Sequence, residues 1–156
     1  MSPKPSSASR RNNLIGEALR QIRQARRLRA QDVGAALGIG QRTYEYIETG
    51  RSKADFDRLK RFAQATDSDA NAIVLAQLIN SPDFARRAAD NKLATALIIA
   101  LQEFDQDLGD DIHLLDAASC IAAFNGAFQD LLAEAKRRAA ARDRLHRMPI
   151  GNPIKD

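Results

Sequence analysis

Apolar residues in this chain recur at intervals of three and four rather than two, so the pattern predicts helices almost throughout. Leu14, Ile15, Leu19 and Ile22 hold one face of a first helix from Asn12 or Asn13 to about Arg26, with Asn13 as its N-cap. A short second segment covers Ala30 to Leu37. Gly38-Ile39-Gly40 interrupts it, and a third helix runs from Gln41 to Thr49 with Gly50 as its stop. Beyond the loop Arg51-Ser52-Lys53, Asp55 caps a fourth helix to about Ala65, with Phe56, Leu59 and Phe62 turned inward. Asp69 caps a fifth, carrying Ile73, Val74 and Leu78. Ser81-Pro82 has the order of an N-cap followed by proline at the first helical position, so a long helix is expected to open there. Its apolar face includes Leu93, Leu97, Leu101 and Phe104, and it stops near Leu108-Gly109, with Asp110 or Asp111 starting the next. In the last helix Leu114, Ala117, Ile121, Phe124, Phe128, Leu131 and Ala135 alternate spacings of three and four, the rhythm of a packed helix seam. A basic tail follows from Lys136.

Composition agrees with an all-α fold. Tryptophan is absent, β-branched alternation is lacking, and Ala, Arg, Leu, Gln and Asp dominate. At 156 residues and 44% hydrophobic content, one ordinary domain or two small ones can bury a core without a metal or disulfide framework. The lone Cys120 suits a reducing cytoplasm and reads as a small core residue rather than a redox sensor. The N-terminus lacks the apolar core of a signal peptide, and the longest strongly apolar run, Leu93 to Leu101, is about half a membrane span. His113 and His146 have no close ligand partners, so neither metal nor cofactor is expected.

Charge alters the picture more through its distribution than its total of +4. Residues 1–66 hold 14 basic against 6 acidic residues (+8), residues 67–135 hold 3 against 12 (−9), and residues 136–156 hold 7 against 2 (+5). A basic N-terminal block points to a polyanionic partner. Residues 30–50 within it have helix-turn-helix spacing: Gly34 where two helices approach, Gly38 at the turn, and Val33, Leu37, Ile39, Tyr44 and Ile47 as the contacts fixing their angle. The opposite face of the third helix offers Gln41, Arg42, Thr43, Glu45 and Tyr46, an inventory suited to base edges in a major groove.

Over roughly residues 13–79 the sequence resembles the Xre-type helix-turn-helix of phage repressors and Cro-like regulators. The resemblance rests on Ile15 to Arg23 before the motif, the Gly38-to-Gly50 stretch closing with Ile47-Glu48-Thr49-Gly50-Arg51, and Leu59 with Phe62-Ala63 after it. It implies an ion pair between Arg23 and Glu48 bracing the third helix against the first. It also implies base reading by Gln41, Arg42 and Tyr46, with Thr43 next, and phosphate contacts from Arg51, Ser52 and Lys53, helped by Lys4, Arg10 and Arg11. The glutamine that many members place at the start of helix two, on a phosphate, is Ala30 here, with Gln31 one step later. The turn residue that is usually Ser or Thr is Gly40.

The expected organisation is a disordered basic arm (1–11), a five-helix Cro/repressor-like domain (12–80), a two-long-helix dimerisation region (81–147) and a flexible tail (148–156). Leu114, Ile121, Phe124, Phe128 and Leu131 are the expected dimer contacts. Such a chain would be a homodimeric repressor bound to double-stranded DNA, cytoplasmic and nucleoid-associated when bound, and not an enzyme. The alternative is an antitoxin-like or adaptor protein whose acidic region, residues 82–135, binds a second protein, with DNA binding for autoregulation. The basic tail has two readings, a solvated helix end or a contact to DNA or to a partner's acidic block.

Overall fold

A computed structural model describes residues 7–147, which form eight α-helices and one 3₁₀ helix and, among those residues, no strand. The chain is all-α. The helices are α1 (Ser7–Ala25), α2 (Ala30–Ala36), α3 (Gln41–Glu48), α4 (Phe56–Thr66), α5 (Ala70–Leu78), α6 (Pro82–Arg87), α7 (Leu93–Leu108) and α8 (Ala117–Arg147), with the 3₁₀ helix at Gly109–Leu114 before α8. Backbone contacts divide the chain into two units, Met1–Gln106 and Asp107–Asp156.

In the first unit α1 is the spine. Ala18, Leu19 and Ile22 on its inner face are buried with Val33 and Leu37, Tyr44 and Ile47, Leu59 and Phe62, Ile73 and Ala76, and Ala85. Each large member of that set contributes about 1.5–3 kcal/mol by leaving water. Alanines then permit close helix approach: Ala72, Ala88 and Ala94 form a second small cluster where α5, the α6–α7 connection and α7 meet.

Several expectations are corrected here. Helix α1 begins at Ser7, not at Asn12 or Asn13, because nothing after Pro5 breaks a helix and Ala8, Arg10 and Arg11 favour one. Arg10 and Arg11 therefore sit on α1 rather than on an arm, and Asn13 is interior to the helix. The remainder of the expected arm, including Lys4, and the expected flexible tail 148–156 lie outside the described residues. Phe56 is largely exposed, its ring lying 4.8 Å from the Lys60 ammonium, and Leu78 is exposed as well.

The long helix expected from Pro82 is two helices. The chain turns between Arg87 and Leu93, where Lys92 adopts a left-handed φ of 53°. Its ammonium donates to the Asp67 carboxylate (3.1 Å) and to the Ser68 carbonyl (3.0 Å), and Asn91 Oδ1 accepts from the Leu93 amide that opens α7. As a result α6 folds back onto α1 and α5, and the N-terminal unit extends well past the boundary expected at residue 80.

Asp69 makes the joint rigid. Its carboxylate, 2% exposed, caps α5 by accepting from the Asn71 and Ala72 amides, and it accepts from both the amide (3.0 Å) and hydroxyl (2.8 Å) of Thr95 in the first turn of α7. Arg26 adds a clasp, donating to the Thr66 and Asp67 carbonyls at the end of α4 and to Asp90.

In the second unit, Asp116, not Asp110 or Asp111, starts the last helix: it accepts from the amide and hydroxyl of Ser119, which holds its carboxyl below the usual carboxylate range. Gly109 to Leu114 wind as the 3₁₀ helix, so Leu114 lies outside α8. At 31 residues, α8 is about 46 Å long. Its Ile121, Phe124, Phe128 and Leu131 are each at least half exposed. No helix among the described residues is long and apolar enough to cross a membrane.

Candidate nucleic-acid interface

Two glycines set the position of α3. A Cβ on Gly34 would stand 3.1 Å from the Ile39 carbonyl oxygen and 3.4 Å from the Gln41 nitrogen, so the turn packs closely against α2 and would have to give by a few tenths of an ångström to accept one. Gly38, at φ 69°, supplies the left-handed step, while the Ile39 amide returns to the Gly34 carbonyl. On the far side, Gly16 lies where α1 crosses the end of α3, with a hypothetical Cβ 2.4 Å from the Glu48 carbonyl oxygen. Gly50, at a left-handed φ of 73°, lies against Asn13, whose side chain rather than backbone would be the first obstacle to a Cβ there. Sequence reasoning missed both α1 contacts: Gly16 on the buried face of a helix is the only trace of one, and Gly50 reads simply as a helix stop.

Polar bonds then fix the rotation of α3. Arg23 donates from two nitrogens to the two Glu48 carboxylate oxygens (2.7 and 2.9 Å) and from a third to the Leu28 carbonyl (3.1 Å). Its guanidinium is raised above the ordinary arginine value, first by that carboxylate. Glu48 also accepts from the Tyr44 hydroxyl (2.6 Å), whose ring is buried and stacked on Phe62 at 6.4 Å. Burial, then the Glu48 bond, raises the Tyr44 phenol far above its usual value.

With Tyr44 and Ile47 buried, the opposite side of α3 is committed to solvent. Gln41, Arg42, Thr43 and Glu45 are exposed and Tyr46 is half-buried. Gln41 donates to Glu45 (2.8 Å), and Arg42 Nε donates to the Tyr46 hydroxyl (2.9 Å). Arg42 and Arg51 each place a guanidinium carbon within 5.8 Å of the Tyr46 ring centroid. These contacts orient both cations, and Arg42 keeps its terminal amino groups for an outside acceptor. Gly40 at the N-cap brings no side chain to the first-turn amides of α3.

The following loop is held from both ends. The Ser52 amide donates to the Tyr46 carbonyl, Asp55 caps α4 through the Arg58 amide, and the Arg58 guanidinium reaches the Lys53 carbonyl (3.2 Å). Arg51 and Lys53 stay exposed beside α3. Gln31 is exposed near the start of α2, and Arg10 and Arg11 are exposed near the start of α1.

Residues 14–73 match the family model described as a helix-turn-helix domain. This segment is a helix-turn-helix domain. The match agrees with the Xre-type resemblance in the sequence. No curated protein and no solved structure matches the chain. In helix-turn-helix terms α2 and α3 are the motif and α3 the recognition helix, α1 and α4 to α6 are its support, and DNA-binding regulators use this module to enter a major groove.

Proposed function

We propose that the chain is a sequence-specific, double-stranded-DNA-binding transcriptional repressor that acts as a homodimer on a pseudo-palindromic operator. The observation carrying this reading is the outward face of α3, where Arg42 and Arg51 are fixed on Tyr46 beside an exposed Gln41, while Glu48 locks the helix to Arg23. Arg42 reads guanine and Gln41 reads adenine, each good bidentate contact contributing about 1–3 kcal/mol of discrimination. Thr43 and Tyr46 supply hydroxyl and apolar contacts, and Arg51, Ser52, Lys53, Gln31, Arg10 and Arg11 grip phosphates. The half-exposed seam of α8 joins two copies, so that two recognition helices enter successive grooves about 34 Å apart. Promoter occlusion follows from occupancy. In this reading the protein is cytoplasmic and not an enzyme.

Mapping bound sites across the genome is the test. A few sharp peaks sharing an inverted repeat are expected; broad, sequence-independent coverage would replace this reading with an architectural one. Arg42→Ala should relax preference at one base per half-site, whereas Lys53→Ala should weaken all sequences alike and flatten the salt dependence.

A further inference from the structure

The apolar seam of α8 is bounded by opposite charges. Asp107, Asp110, Asp111 and Asp116 lead into it, with no Lys or Arg among residues 107–116. Residues 136–147 at its other end hold six Lys and Arg against Asp143 alone. The seam spacing itself continues past Leu131 and Ala135 to Arg138 and Arg142, so the face that is apolar in the middle of α8 becomes cationic toward its end.

We propose that α8 pairs antiparallel with α8 of a second copy, each basic end lying along the acidic segment that leads into the other helix. This rests on the reading that α8 is the self-association surface, and it adds the direction of pairing. Charge decides between directions. A parallel pair would set two basic ends side by side and two acidic segments side by side, repulsive at both ends of the seam. An antiparallel pair joins unlike charges twice. Ala117 and Ala135 limit the seam on α8, so its midpoint is near residue 126 and positions whose numbers add to about 252 face each other. Residues 136–147 then extend past Ala117 of the second copy, alongside the acidic segment that leads into its helix, where Arg142 meets the cluster of Asp110 and Asp111.

Contacts within one copy leave these charges available. Glu134 pairs with Arg137 and with Arg138 (2.5 Å) on its own helix. Among the described residues, Lys136, Arg142, Arg144 and Arg147 meet no carboxylate at ion-pair distance, and neither do Asp107, Asp110 and Asp111 meet a cation. The helix dipole accounts for cations only in the last turn, whereas Lys136 and Arg142 lie before it.

The test uses the full chain as Cys120→Ser/Ala141→Cys, spin-labelled at its single thiol. An antiparallel pair places the labels about 45 Å apart along the helices, from 15 residues on each side of the midpoint at 1.5 Å per residue, and a parallel pair less than about 20 Å apart. In sedimentation, Arg142→Glu should weaken dimerisation about tenfold, since each dimer holds the contact twice, and adding Asp110→Arg in the same chain should restore it. A dimer with the short label distance overturns the antiparallel proposal and leaves self-association standing. A wild-type protein that is monomeric throughout overturns both. A dimer indifferent to Arg142→Glu, with DNA affinity lost instead, assigns the basic end to DNA and overturns the proposal.

Discussion

Tyr44 links the core to the ion pair that fixes α3, because its ring is stacked on Phe62 and its hydroxyl donates to Glu48. Since folding raises this phenol above the free value near 10, its contribution is fully present below about pH 10 and is lost as the pH rises beyond it. Urea midpoints should therefore fall between about pH 8 and about pH 10.5, and fall less in Tyr44→Phe, whose loss of one hydrogen bond lowers stability by about 1 kcal/mol at the lower pH. Glycines give a second contrast. Gly16→Ala sets a methyl against the Glu48 backbone, which cannot swing away, and should lower stability by about 1–3 kcal/mol. Gly126→Ala meets nothing within 4 Å and should raise it by up to about 1 kcal/mol through helix propensity, both read by thermal unfolding. The inward positions Leu19, Ile22, Val33, Leu37, Tyr44 and Ile47 were legible from spacing alone. Arg51 on Tyr46 was not, since a cation after a helix end carries no sign of which ring it covers.

At the level of elements, most helix ends and the carboxylate-capped starts were legible, whereas the starts of α1, α7 and α8 were not. Asp55 and Asp69 announce α4 and α5 because a carboxylate before an apolar run has one common use. The ends near Arg27, Asp67 and Asn80 all turn through left-handed residues that are not glycine, and so does Lys92 before α7. Without glycine or proline between residues 88 and 92, periodicity alone runs one helix through a break that Lys92 and Asn91 hold with side-chain bonds. Asp69→Ala should expose how tightly neighbours are coupled. It removes the α5 cap and both Thr95 bonds together, so a loss of about 2–3 kcal/mol is expected in denaturant melts, with faster amide exchange at Thr95 as well as at Ala72.

For the whole molecule, the division falls after Gln106 rather than after residue 80. The sequence has a strong turn signal at Ser81-Pro82, but Ala85 and Phe84 on the far side of it pack into the first core, and no local pattern reveals that return. A chain ended after Gln106 should keep a cooperative thermal transition, whereas one ended after Asn80 strips α6 from α1 and α5 and should melt earlier and more broadly, by circular dichroism. The charge blocks also acquire addresses: the basic 1–66 block spans α1 to α4 around the recognition helix, and the basic end that reads as a tail is the last third of α8. There is an optical consequence too. Tyr44 and Tyr46 are the only tyrosines and tryptophan is absent, so the protein's tyrosine emission, excited at wavelengths phenylalanine does not absorb, originates entirely from α3, one ring sealed in the core and the other on the outward face. Unlabelled protein thus carries its own reporter, and adding operator DNA should change the Tyr46 part of that emission, with Tyr46→Phe leaving a signal that no longer responds.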